Sequence, residues 1–215
     1  MSLKKVLLIG DSIRMGYDKY VKDYLKDSCE VYFPTENCRF AQYVLRCLSD
    51  WRKELKIGEE LDLIHWNAGL WDTLEQYEDG CLTPPKFYEY FIDRICNRIK
   101  ILFPKAKVIF ATSTPILECK IYDPKIFTRK NDKIREYNDI AVNVCKKYGF
   151  EINDLYSVVE NVPELYYSDM THLYTPEGTQ LLTDAVVKKI CEVLEIEYKE
   201  FTLVDYQNVK EVIGI

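Results

Sequence analysis

Lys5-Val6-Leu7-Leu8-Ile9-Gly10-Asp11-Ser12 is an unbroken apolar run that stops on a glycine, an acid and a hydroxyl. Apolar residues that do not alternate suit a strand covered on both faces, so this stretch reads as a buried parallel strand. Residues 29–33, 61–66, 107–111 and 150–153 are further short apolar runs. Helical patterns separate them. Residues 17–26 carry the stripe Tyr20, Val21, Tyr24 and Leu25, and residues 40–51 carry Val44, Leu45, Leu48 and Trp51. A third helix over about 86–102 is stopped by Pro104, and a fourth over 129–148 by Gly149. Pro176-Glu177-Gly178 opens a last helix that runs to about Leu194. Strands alternating with helices predict an α/β domain built on a parallel sheet.

Residues 1–195 read as one domain, with neither repeats nor a linker that would divide them. Residues 116–127 contain Pro124 and no period, and read as a loop over the strand ends. Residues 196–215 are an apolar C-terminal extension, expected to pack on the domain or on a partner subunit in a homo-oligomer.

The 215 residues are enough to bury an ample core, and 47% hydrophobic with 30% charged residues is ordinary for a globular protein. A net charge of -6 argues against nucleic acid as a partner, because binding it requires a cationic footprint. The eight cysteines form no C-x-x-C pair, and with two histidines no zinc signature can be assembled, so neither metal nor cofactor is expected. Met1-Ser2-Leu3-Lys4-Lys5 runs straight into the first strand without the apolar core of a signal peptide, which gives the expectation of a cytoplasmic protein with reduced thiols. No run reaches the length of a membrane span.

Ligands of open α/β sheets bind outside the carboxyl ends of the strands. Four polar clusters fall at such ends: Gly10-Asp11-Ser12, Glu36-Asn37-Cys38-Arg39, residues 67–72, and Thr112-Ser113-Thr114. Ser12 is either a helix cap or a nucleophile whose own N–H faces a developing oxyanion. A serine activated by an imidazole must use His65 or His172, the two histidines present. His65 lies inside a strand, where a buried ring bonded to a neighbour is expected. His172 follows Asp169 by three residues, and a carboxylate on one ring nitrogen orients the other toward a hydroxyl. His172 is therefore the preferred base. Arg14 and Arg39 flank Ser12 and are candidates for recognising a carboxylate or hydroxyl of a substrate.

These motifs resemble those of the SGNH (GDSL-type) hydrolase superfamily over nearly the whole chain. Gly10-Asp11-Ser12-Ile13 resembles its first block, and Asp169-Met170-Thr171-His172, continued by Thr175-Pro176-Glu177-Gly178, its fifth. The resemblance implies a single-domain, three-layer α/β/α sandwich, flavodoxin-like, with a five-stranded parallel sheet in the order 2-1-3-4-5. It also implies a triad of Ser12, His172 and Asp169. The middle blocks depart from the pattern. Cys38 stands where a glycine normally donates its N–H to the oxyanion hole, so Ser12 and Cys38 are the expected main-chain donors. In Gly69-Leu70-Trp71-Asp72 a tryptophan replaces the usual asparagine donor, leaving the Asn67 amide or the Trp71 indole as third donor, with Asn67 preferred. Trp71 is also an expected substrate contact.

The function expected on this basis is a cofactor-independent serine esterase acting on a small-molecule ester, away from membranes. It would remove short acyl (acetyl) groups from a polar or carbohydrate alcohol. Its rivals are a lysophospholipase or thioesterase, and a catalytically weak carbohydrate-binding relative motivated by the altered third block.

Overall fold

In a computed structural model, residues 2–207 are described. β1 (Lys4–Ile9) leads into α1 (Ser12–Leu25), and β2 (Cys29–Tyr32) into α2 (Ala41–Glu54). β3 (Leu63–Trp66) is followed by α3 (Pro85–Leu102), and β4 (Lys107–Ala111) by α4 (Asn131–Lys147). β5 (Glu151–Asn153), a short α5 (Leu155–Val159) and α6 (Pro176–Leu194) complete the order. The five strands form one sheet in the order β2-β1-β3-β4-β5, with all four pairings parallel, which is the expected topology. Each strand must cross over to reach its neighbour, and the helices supply those crossings.

Successive strand residues point to opposite faces, and the two cores follow that alternation. Leu7, Ile9, Ile64, Trp66, Val108 and Phe110 pack beneath α2, α3 and α4. Val6, Leu8, Val31, Leu63, Ile109 and Ala111 pack beneath α1, α5 and α6. The result is a three-layer sandwich. His65 points to the second face, fully buried, with Nε2 placed 3.2 Å from the Asn153 amide and its ring edge-on to Tyr17. Burial pushes its pKa down to about 3, so it stays neutral within the core.

α1 starts at Ser12, five residues before the start expected from the apolar pattern at residue 17. Asp11 caps it, accepting the Ile13 N–H at 3.0 Å, so the first turn is fixed by the cap together with the buried Ile13 side chain. Ser12 is thereby the first helical residue. α5 was not expected; it is only five residues long, too short to show a period of its own. Residues 196–207 lie along α1 and α6: the Phe201 ring is 4.5 Å from Tyr24, and the Gln180 side chain bonds both Phe201 O and Leu203 N. The remainder of the expected C-terminal extension, residues 208–215, lies outside the described residues.

Candidate active site

Ser12 sits where β1 turns into α1, at the carboxyl edge of the sheet. Gly10 makes that turn because no side chain fits there. A Cβ would lie 2.0 Å from the Asn67 Oδ1 and 2.7 Å from the Arg14 Cβ. The Ser12 hydroxyl meets His172 Nε2 at 2.8 Å, across 160 residues of sequence. His172 Nδ1 lies 2.9 Å from Asp169 Oδ2, and Asp169 Oδ1 accepts the backbone N–H of Thr171 at 2.7 Å and of His172 at 2.8 Å. One carboxylate thus shapes the loop and also fixes the ring. With Nδ1–H donated to Asp169, Nε2 keeps its lone pair for the serine proton. The His172 loop is pinned twice more, by Ser168 N–H to His172 O at 2.8 Å and by Leu117 N–H to Met170 O at 2.8 Å.

Tyr174 completes the clamp on both partners, and sequence reading had not singled it out. Its ring stacks on His172 at 4.7 Å between centroids and 25° between planes. Its hydroxyl donates to Ser12 O, and its own carbonyl accepts from the Tyr206 hydroxyl. Gly16 leaves room for the ring, since a Cβ there would lie 2.8 Å from it.

The main-chain donors differ from expectation at one position. The Cys38 N–H donates to Gly10 O at 3.1 Å and is not free for an oxyanion. The left-handed residue of this loop is Arg39 (φ 54°), whose N–H is taken by Asn37 Oδ1 at 2.8 Å. Two residues beyond Cys38, at the cap of α2, the Phe40 N–H meets no acceptor among the described residues. The Ser12 N–H is likewise unspent, and it stands at the positive end of α1. Asn67 is buried beside Gly10, its Oδ1 without a donor among the described residues. Trp71 is half-buried on the same loop.

The two arginines part company. Arg39 is exposed, with its guanidinium 5.1 Å from the Tyr43 ring centroid. Arg14 is only 1% exposed and fully engaged, pairing with Asp18 and donating to Pro34 O at 2.9 Å and Glu36 O at 2.6 Å. The expected substrate contact at Arg14 is therefore corrected: its donors hold the β2–α2 loop against α1. The i,i+4 spacing of Arg14 and Asp18 was the signal that could have shown it. Another arginine, Arg129, lies in the loop before α4, buried with its Nε on Leu70 O at 2.6 Å.

Electrostatically the turn is tense. Burial raises the Asp11 carboxyl above its usual range, opposed by the Ile13 N–H, the neighbouring Asn67 amide, and the charges of His172 and Arg129. Asp72, also buried, accepts the Ala41 N–H with both oxygens at 3.2 and 3.1 Å, and desolvation pushes its pKa up to about 7. Among the described residues no cluster of His, Cys, Asp and Glu could hold a metal ion, and no helix is long and apolar enough to cross a membrane.

The fold is that of the SGNH (GDSL-type) hydrolases. A lipase/acylhydrolase from Enterococcus faecalis superposes with a TM-score of 0.69 at 20% identity, covering 93% of this chain and all of that one. The acetyl xylan esterase AlAXEase gives 0.66 at 19% identity, over 86% of this chain and 99% of the other. In sequence, the GDSL esterase/lipase CPRD49 of Arabidopsis thaliana is 21% identical over 151 residues, 65% of this chain and 57% of that protein. The chain thus matches little more than half the length of that relative. No protein-family model matches.

Proposed function

We propose that the protein is a serine ester hydrolase of SGNH type that removes short acyl groups, acetyl above all, from a polar or carbohydrate alcohol. The observation that carries this reading is the unbroken relay from Asp169 through His172 to the Ser12 hydroxyl. Ser12 Oγ attacks the ester carbonyl carbon while its proton passes to His172 Nε2. The C–O bond of the tetrahedral intermediate then breaks, and the same proton goes to the departing alcohol. Water attacks the acyl-enzyme, gives its proton to Nε2, and the acid leaves as the proton returns to Ser12. Asp169 stabilises the imidazolium at each stage.

The oxyanion is received by the Ser12 N–H, reinforced by the α1 dipole, with the Phe40 N–H and the Asn67 amide as further donors. The short-acyl preference is supported by the polar strand ends around Ser12 and by the likeness to an acetyl xylan esterase fold. Comparing kcat/KM for 4-nitrophenyl acetate and octanoate, with Ser12→Ala as the blank, tests it. Ser12-dependent turnover with acetate preferred is expected, and a strong octanoate preference assigns the protein instead to long-chain acyl hydrolysis.

A further inference from the structure

Among the described residues Arg129 is a buried cation with no carboxylate in ion-pair contact, and Asp11 acts on it only through its charge at a distance. Arg129 is 6% exposed, and its guanidinium lies 5.2 Å from the Phe127 ring centroid. Its one protein acceptor among the described residues is the Leu70 carbonyl, held by Nε at 2.6 Å. Arg14, the other deeply buried arginine, shows what a structural guanidinium looks like here: a carboxylate and three carbonyls share its nitrogens. By contrast, both terminal nitrogens of Arg129 lack an acceptor among the described residues, and no carboxylate there pairs with it. A buried charge held this way is costly unless something completes it.

The position says what that is. Leu70 lies between Gly69 and Trp71 on the loop that follows β3, the same loop that places Asn67 against Gly10 and so beside the nucleophile turn. Thr128, the residue before Arg129, exchanges both backbone hydrogen bonds with Glu75 at 2.9 Å, which fixes the arginine to that loop from a second side. Burial lowers the Arg129 pKa only to about 10, so the group stays charged at neutral pH, and its field reaches Asp11. Its geometry is that of a fork with two free prongs, the form that grips a carboxylate through two parallel bonds.

We propose that Arg129 is a specificity residue that binds a carboxylate borne by the substrate, so that the preferred esters carry a negative charge near the scissile bond. This rests on the serine esterase reading above. It moves to Arg129 the recognition that Arg14 is too deeply engaged to perform.

Two matched pairs of esters test it. In 4-acetoxybenzoate against its methyl ester the charge sits on the alcohol side. In the mono-4-nitrophenyl ester of adipic acid against 4-nitrophenyl hexanoate it sits on the acyl side. Wild-type protein is expected to prefer the charged member of at least one pair. Arg129→Gln should reduce that preference on the order of 10- to 100-fold, the worth of a hydrogen-bonded charge pair. Arg129→Lys should keep part of it, as a point charge without the fork. Both measures are ratios within one protein preparation, so a loss of folded protein does not imitate the effect. The proposal is overturned if wild type favours the neutral member of both pairs, or if Arg129→Gln leaves the ratio unchanged. If no ester is turned over by wild type beyond Ser12→Ala, it is the esterase reading itself that fails.

Discussion

The ring of Tyr174 lies 4.7 Å from that of His172 and nearly parallel to it, while the tyrosine hydroxyl reaches back to the carbonyl of Ser12. One side chain therefore sets the separation of the base and the nucleophile. Tyr174→Phe keeps the stack and deletes the bond to Ser12. Because small misplacement of reacting groups is expensive, kcat should fall on the order of 10-fold, with KM changed by less than about 2-fold. Tyr174→Ala should fall further. Steady-state kinetics of the two variants checks this. Equal losses in the two variants would show that the stack on His172 contributes nothing.

Asp169→Asn should be far more damaging than its size suggests. An amide can still accept the N–H groups of Thr171 and His172, so the loop survives. Its NH2 turned toward Nδ1, however, selects the wrong tautomer of His172 and leaves Nε2 protonated. A kcat loss of about 10³–10⁴ is expected, with little change in thermal stability. Kinetics beside a melting curve separates this from simple unfolding.

Arg14→Gln should destabilise the protein by about 3–5 kcal/mol, since it strands Asp18 in a buried site. Arg14→Met combined with Asp18→Leu should recover much of that loss. Urea denaturation of the two variants beside wild type measures it, and a stable Arg14→Gln protein would restore Arg14 as a candidate substrate contact.

Asp72 gives stability a pH dependence with a definite sign. Its pKa is raised from the ordinary 3.8 to about 7 by burial, so the folded protein favours the protonated acid. That contribution is fully present below about pH 4 and is lost as pH rises through about 7. Asp72→Asn cannot ionise, so its melting temperature relative to wild type should climb by several degrees between about pH 4 and pH 7 and level off above that. Parallel melting curves across that window check the trend, and a constant difference would contradict it.

How much of this was legible in sequence follows from where each signal resides. That the sheet is parallel was readable because buried parallel strands must be apolar throughout, as Val6 to Ile9 are, whereas its strand order came only from the resemblance of the end motifs to a known family. Asp169 and His172 were readable as a pair because their relation is local, a carboxylate three residues before an imidazole. The true start of α1 was hidden, since a cap such as Asp11 carries no period and Arg14, Met15 and Gly16 separate Ile13 from the clear stripe further on. Tyr174 and Arg129 were hidden for a deeper reason: each matters through a contact that only the folded chain creates, with Ser12 and with Leu70. Cys38 was placed in the right loop and given the wrong task, because a hydrogen bond to Gly10 cannot be read from spacing.

Fluorophosphonate labelling followed by peptide mass spectrometry probes the Ser12 hydroxyl without any assumption about substrate. Stoichiometric phosphonylation at Ser12, abolished in Ser12→Ala and slowed by on the order of 10³-fold or more in His172→Ala, is the expected result. A wild-type protein that resists the reagent, or that labels equally well without His172, would show that the 2.8 Å contact between them does not activate the serine.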